Sequence, residues 1–450
     1  MRRMTWLVGG MAIAVAALWL TWRPMKVRAT IVVDAPTQVV WLQQNQPATK
    51  KKGAGKKKNQ AALVESKPLQ EATGVEAILS SGDSYDDFAS VAQTADGTRY
   101  AAYAAYYDAH DQIRLHKQLA DGGWSTRTYV PLVKPRADIW MPQIACDAQD
   151  RVWVVWSEQT EQTRTTSGNW DLYARALDEE KNEWGPLVRL TDNPKPDINL
   201  HVTTDAQRNI HVVWQAHPEN SGDVMYCRFD GSSWSKPLAV TSGPESDWYP
   251  QVAVDKQGVA WIAFDSYRNG DYDVFLTSVN NGKLGEVYTI AASKFYEAHA
   301  SVACTPDNRV WVAWEQGGFN WGKDQGHWLN PNMTNKQRGT TLGSTRTVKI
   351  AALENGDGAG NGKILAGPVL EQALGEVEPK ITAMAGLAAD SAGRLWLRFR
   401  KVNRGPLGAR GQFRRYWTEN VTHLTPDGWA PAQEIPGRSY LNEVRPPAGA

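Results

Sequence analysis

Trp248-Tyr249-Pro250-Gln251-Val252-Ala253-Val254-Asp255-Lys256-Gln257-Gly258-Val259-Ala260-Trp261-Ile262-Ala263-Phe264 reads as an extended run, a tight turn opening on Asp255, and a second extended run closing on an aromatic. The same hairpin, with nine residues from turn opener to closing aromatic, recurs at Thr94 to Tyr103, Asp147 to Trp156, Asp205 to Trp214, Thr305 to Trp314 and Asp390 to Phe399. Successive closing aromatics stand 53, 58, 50, 50 and 85 residues apart. A period near fifty made only of strand patterns marks an all-β fold, a β-propeller of four-stranded repeats.

Within each repeat the pattern gives four strands, A before the turn, B ending in the aromatic, C opening after it, and D last. In strand B the aromatics sit three apart, as in Trp153 and Trp156, Trp261 and Phe264, or Trp311 and Trp314. Side chains of a strand alternate faces, so this spacing puts bulk on both faces and requires a strand sandwiched between neighbouring blades. Six A-B-C sets are present, but D-type strands number seven, because Val75 to Gly82 matches Leu238 to Gly243 and the chain also closes on a D at Trp429 to Ile435. Two solutions stay open: six blades with one surplus D strand, or seven blades of which the last is truncated, its start being Arg438 to Ala450.

Outward from the repeats, the domain boundaries follow composition. The propeller spans 71–436 and a tail 437–450 follows it. Residues 30–70 form an extension with an apolar patch at Ile31-Val32-Val33 and a solvated tether, Lys50-Lys51-Lys52-Gly53-Ala54-Gly55-Lys56-Lys57-Lys58. In 1–29, Arg2 and Arg3 precede an uncharged apolar run from Trp6 to Trp22, the pattern of a secretory signal peptide or a signal anchor. The chain is therefore expected to be exported, periplasmic or extracellular, with residues 6–22 as a membrane tether if they are retained. The 49 Lys and Arg balance the 48 Asp and Glu, so no global field favours nucleic acid. Cys146, Cys227 and Cys304 read as buried small hydrophobes, not a disulfide framework.

Candidate site residues gather on the face that carries the D-to-A and B-to-C connections. Eight residues before the turn openers stand Asp86, Asp197, Asp247 and Glu297, with Asp138 one residue out of register. The B-to-C loops add Glu158, Asp265, Arg268 and Glu315. Such acids on one rim suit a cationic group or a hydroxyl-rich sugar, and equally suit capping of backbone N–H groups in the neighbouring blade. The B-to-C connection of blade 5 is some 20 residues longer than those of blades 3 and 4 and holds Trp321, Asp324, His327 and Trp328. Long loops on a repeat scaffold are where binding sites grow, and tryptophans beside polar groups suit a sugar ring. The turn-opening aspartates read as turn chemistry and His211 as a core substitute for Trp153 and Trp261. No metal or cofactor motif, phosphate loop or nucleophile elbow appears.

The repeats Val152-Trp153-Val154-Val155-Trp156 and Asn209-Ile210-His211-Val212-Val213-Trp214, with Asp230-Gly231-Ser232-Ser233-Trp234-Ser235 before strand D, resemble bacterial sialidase-like and TolB-like propellers. The sialidase Ser-x-Asp-x-Gly-x-x-Trp box is absent. Asp247-Trp248-Tyr249-Pro250 and Asn320-Trp321-Gly322-Lys323-Asp324 resemble the N-terminal propeller of large exported bacterial proteins in which a phosphoesterase-like domain follows. The expectation is a binding module for a carbohydrate or protein partner, not a self-sufficient enzyme. The alternatives are a glycan-active hydrolase or lyase working through rim carboxylates, and an assembly scaffold or part of a larger hydrolase.

Overall fold

A computed structural model describes residues 27–33, 42–44, 75–78, 85–159, 169–217, 221–319, 345–354, 361–375, 380–390, 392–407 and 413–441. They form six four-stranded antiparallel blades of a β-propeller in chain order. Strands A, B, C and D of blade 1 are Tyr85–Gln93, Arg99–Tyr107, His110–Lys117 and Thr128–Tyr129. Blade 2 has Ile139–Cys146, Val152–Gln159, Trp170–Asp178 and Val188–Arg189; blade 3 has Asp197–Thr204, Ile210–Ala216, Asp223–Phe229 and Leu238–Ala239. Blade 4 has Asp247–Val254, Ala260–Ser266, Asp273–Asn280 and Tyr288–Ala291. Blade 5 has Phe295–Thr305, Arg309–Phe319, Thr347–Glu354 and Lys363–Ala366, and blade 6 has Thr382–Ala389, Leu395–Leu407, Phe413–Thr425 and Gln433–Leu441. From blade 1 through blade 6, strand A of one blade touches strand A of the following one, which places the A strands innermost.

The repeated hairpin has a local cause. Asp147 Oδ1 accepts the amides of Gln149 and Arg151, Asp205 Oδ1 those of Gln207 and Asn209, and Asp255 Oδ1 those of Gln257 and Val259. The second carboxylate oxygen takes the indole N–H six residues on, from Trp153, Trp261 and Trp396 to Asp147, Asp255 and Asp390. The third residue after each opener is left-handed: Gly97, Asp150, Arg208, Gly258, Asn308 and Gly393. These are the turn roles read from the sequence. His211 is buried in the tryptophan's place, between Asp205 and Tyr226.

Strand B is sandwiched as its spacing requires. Val152, Val154 and Trp156 join the core shared with blade 1, while Trp153 and Val155 join the core shared with blade 3. The same division runs through the interfaces of blades 3 with 4, 4 with 5 and 5 with 6, with Phe264 facing blade 3 and Trp261 blade 5, and with Trp311 facing blade 6. Burying a large apolar side chain stabilises by about 1.5–3 kcal/mol, so these alternating rows are the main glue between blades.

Two features of strand A were not legible as a pattern. Blade 5 slips between Phe295 and Glu297, and every A–B ladder slips at one shared repeat position, between Asp87 and Ser90, Trp140 and Gln143, Ile198 and His201, Trp248 and Gln251, Ala298 and Ser301, and Ala383 and Gly386. Inside each bulge one non-glycine residue is left-handed: Phe88, Met141, Asn199, Tyr249, His299 and Met384. Such a conformation costs about 1–3 kcal/mol per residue and persists only where the surroundings impose it. Two residues further on, side chains link one inner strand to the next. Ile144 N donates to Ser90 Oγ (3.1 Å), Val202 N to Gln143 Oε1 (2.8 Å), Val252 N to His201 Nδ1 (3.2 Å) and Leu387 N to Ser301 Oγ (2.9 Å).

The strand count resolves to six blades. Val75–Ile78, the surplus D-type strand, enters no blade; it pairs with Val27–Val33, which also pairs with Leu42–Gln44. The apolar patch Ile31-Val32-Val33 thus supplies its partner, and this three-stranded sheet lies against strand A of blade 1. Blade 6 carries its own strand D, which runs on to Leu441, so Arg438–Leu441 extend blade 6 and do not begin a seventh. Among the described residues no helix is long and apolar enough to cross a membrane, and residues 6–22 lie outside them.

Candidate functional site

Asp197, Asp247 and Glu297 stand at the start of strand A but are buried, whereas Asp138 is exposed. Asp197 Oδ1 accepts the Trp214 indole (2.9 Å) and Oδ2 the Asn193 amide (2.6 Å), and burial pushes its carboxyl up to about 6. Asp247 takes the Arg268 guanidinium at 3.0 Å, and that guanidinium lies 4.4 Å from the centre of the Phe275 ring, folded back on its own blade. Glu297 accepts from Ser293 N, Ser293 Oγ and Gln316 Nε2. Glu158 accepts the amides of Val133 and Lys134. Asp86 pairs through its backbone with Ala105, and its side chain lies outside the described residues. Trp321, Asp324, His327 and Trp328 also lie outside them.

Asp265 and Glu315 are brought together with residues the sequence did not single out as a site. Both directly follow the closing aromatic of strand B, and both reach the bulge of the next blade. Asp265 accepts the His299 amide (2.7 Å) and the Ala300 amide (3.2 Å); Glu315 Oε1 accepts the Met384 amide (2.6 Å). These bonds hold His299 and Met384 left-handed, so neighbouring-blade capping describes this part of both acids' work. Glu315 goes further. Its Oε2 lies 2.5 Å from Arg346 Nη1 and 3.3 Å from His299 Nδ1, with the carboxylate buried and the His299 side chain 21% exposed. Arg346 comes from the end of the long blade-5 connection, one residue before strand C.

The electrostatics follow from that geometry. Burial opposes charge on Glu315, but His299 and Arg346 outweigh it and hold the carboxyl down to about 2. Burial likewise works against the imidazolium of His299, and the facing Glu315 carboxylate overcomes it, raising the imidazole above its ordinary value. Burial pushes Asp265 up to about 6. Two carboxyls placed in register on adjacent blades are therefore driven apart, one ionised and one readily protonated.

Around this polar chain runs a file of aromatic rings. Trp248 contacts Tyr272 (centroids 5.1 Å apart) and Tyr267 (6.4 Å), Tyr272 contacts Tyr296 (5.5 Å), and Tyr296 contacts His299 (6.2 Å). Tyr249, the left-handed residue of blade 4, meets the His299 ring edge-on at 5.3 Å. Tyr267 is 40% exposed, Trp248, Tyr249 and Tyr272 are half-buried, and Tyr296 is buried. The file is a graded aromatic surface ending at the His299 imidazole, whose Nδ1 faces Glu315 and whose Nε2 has no partner among the described residues. The readable signal was Tyr249 and His299 standing six residues before their turn openers, where an inward-facing position carries polar rings. No cluster of metal-ligating side chains occurs among the described residues.

No family model and no curated protein matches the sequence. Among solved structures, the chain is similar to a protein of Dyadobacter fermentans described as of unknown function, at 11% identity over 75% of this chain and 95% of that one, with a TM-score of 0.46. It is also similar to the α-L-arabinofuranosidase of Fusarium graminearum crystallised with an iminosugar inhibitor (12% identity, 76% and 93% covered, TM-score 0.43). A third is the intramolecular trans-sialidase of Ruminococcus gnavus (11% identity, 70% and 90% covered, TM-score 0.45). Likenesses this distant transfer no activity to this chain.

Proposed function

We propose that the face of blades 4 and 5 binds a carbohydrate, with Trp248, Tyr267 and Tyr272 as the stacking surface and His299 as the charged anchor for a sugar oxygen. The observation that carries this reading is the continuous file of rings leading to an imidazolium held by buried Glu315. Aromatic faces take the C–H side of a sugar ring, while a fixed donor orients its hydroxyls. A glycan-array and polysaccharide pull-down with the folded chain tests it, run beside Trp248→Ala and Tyr272→Ala. Each substitution is expected to weaken binding roughly tenfold, the scale of one lost ring contact. Undiminished binding in both variants, or no binding by the folded protein, would refute it.

A second reading, a glycan-active hydrolase or lyase, is supported by the His299 imidazole paired with buried Glu315 and set beside Asp265, whose carboxyl burial pushes up to about 6. In it His299 Nε2 gives its proton to the leaving oxygen as the bond from that oxygen to the sugar carbon breaks, water adds to the carbon and releases a proton to solvent, and the neutral imidazole is re-protonated opposite the Glu315 carboxylate. Glu315→Gln then abolishes release of sugar ends while polysaccharide binding survives. The same proposal has the chain exported, with residues 6–22 as signal or tether, and cell fractionation that recovers it from the cytosol would sink that part.

A further inference from the structure

The junctions from blade 1 to blade 6 are built alike. Strands A and B of each blade pack on strand A of the next, and an apolar core fills each junction. Blade 6 makes no such packing with blade 1 among the described residues, and no apolar core joins them. Strand A of blade 1 instead carries the N-terminal sheet of Val27–Val33, Leu42–Gln44 and Val75–Ile78, which packs on no strand of blade 2 and so lies on the side away from it.

The two faces left at the ends of this row of blades are nonetheless dry. On blade 1, Tyr100, Ala102, Ile113 and Leu115 face blade 2, and the residues that alternate with them, Ala101, Tyr103, Arg114 and His116, face the other way. All four are buried, Tyr103 and Arg114 completely. On blade 6, Leu395, Leu397 and Phe399 face blade 5, so Trp396, Arg398 and Arg400 turn outward. Glu419, opposite Arg400 on strand C, accepts from both guanidinium groups at 3.0 and 2.5 Å. The side chains of Arg398, Arg400 and Glu419 are 19%, 7% and 0% exposed. Taking a charged cluster out of water is costly, so its dryness on the outermost face of the last blade calls for something packed over it.

We propose that the N-terminal sheet is a wedge in the seventh position of the ring, one face on blade 1 and the other on the outward face of blade 6. Its pairing follows the order of a blade. Val75–Ile78 pairs antiparallel with Val27–Val33 as strand D pairs with strand C, and Val27–Val33 pairs with Leu42–Gln44 as strand C pairs with strand B. Val75–Ile78 also leads into strand A of blade 1, as each strand D leads into the next strand A. The partner of blade 6's outward face is thus this chain's own N-terminal segment. Ring closure then depends on residues that stand only a few positions after the apolar run ending at Trp22, and the mature protein has to keep them.

The test uses the full chain in mild detergent, with the site of a sequence-specific protease inserted between Gly53 and Ala54. After cleavage, the fragment carrying Val27–Val33 and Leu42–Gln44 is expected to co-elute with the propeller in native size exclusion and to separate in urea. Ile31→Pro with Val32→Pro removes ladder donors opposite Val75–Ile78 and should release the fragment without touching a blade. On release, hydrogen exchange is expected to quicken roughly tenfold or more both in Ala101 to Ala105 of blade 1 and in Leu395 to Arg400 of blade 6, the effect of uncovering one large buried side chain. A fragment that leaves on cleavage alone, or that the proline variant retains, overturns the wedge. Exchange that quickens in blade 1 but not in blade 6 overturns the closure, as does a mature protein whose first residue lies beyond Val33.

Discussion

Replacing His201 with glutamine should make the protein more resistant to acid. His201 Nδ1 accepts the Val252 amide across the blade 3 to blade 4 boundary, and burial lowers its pKa to about 4. A protonated Nδ1 cannot accept, so the folded state favours the neutral ring. With an unfolded value near 6.5, the unfolded chain binds more protons between pH 6.5 and 4, and stability falls as pH drops through that window. At about 1.4 kcal/mol for each tenfold shift, the loss is about 2 kcal/mol at pH 5 and about 3 kcal/mol at pH 4. Gln143 occupies the same repeat position and accepts the Val202 amide through Oε1, so His201→Gln keeps an acceptor and removes the titration. Buried acids such as Asp197 and Asp265 titrate in both proteins and cancel in the difference. Urea denaturation of both forms from pH 7.5 to 4 should give curves that coincide within about 1 kcal/mol at pH 7.5 and diverge by the amounts above. A pH-independent difference would refute the reasoning, as would an NMR titration placing the His201 pKa near 6.5.

Other outcomes follow from named contacts. Arg208, left-handed in its turn, donates to Asp150 Oδ1 (2.7 Å) and the Gln93 carbonyl (2.8 Å), joining blades 1, 2 and 3; Arg208→Ala should cost about 1–2 kcal/mol. A double-mutant cycle with Asp150→Ala should return about 0.5–1 kcal/mol of coupling, because the pair is partly exposed. Glu315→Gln leaves Arg346 and His299 without their shared carboxylate and should cost about 2–4 kcal/mol, with the His299 pKa falling in an NMR titration; an unmoved His299 would refute the pairing. Cys146, whose thiol burial pushes up to about 12, and Cys227, raised the same way, should resist thiol reagents at pH 8 until the chain is unfolded.

The blade architecture could be read from the sequence because its causes are local and repeated. An aspartate that bonds its own turn and the indole six residues on leaves a fixed spacing, and a strand bulky on both faces leaves aromatics three apart. The fate of Val75–Ile78 could not be read, since its resemblance to a strand D is real and only its pairing with Val27–Val33 decides its place. The candidate site was half legible. Asp265 and Glu315 stood out by repeat position, but their meeting with His299 depends on a bulge that rotates one residue of strand A inward, and a bulge in every ladder leaves the period unchanged. Arg346 was invisible for another reason: it lies 31 residues beyond Glu315, where no repeat register applies.

The side-chain links between inner strands join blades 1 to 4 in turn and blade 5 to blade 6, with Gln251 of blade 4 making no such bond among the described residues, and they stop at blade 6. Ser90, Gln143, His201 and Ser301 each offer an acceptor to the following blade, whereas blade 6 has Gly386 at that position, which has no side chain to offer. A necklace built this way has its clasp beside the last blade. Pulled from the C-terminus in a single-molecule experiment, blade 6 should peel away at the lowest force and leave blades 1 to 5 gripping one another through their shared cores.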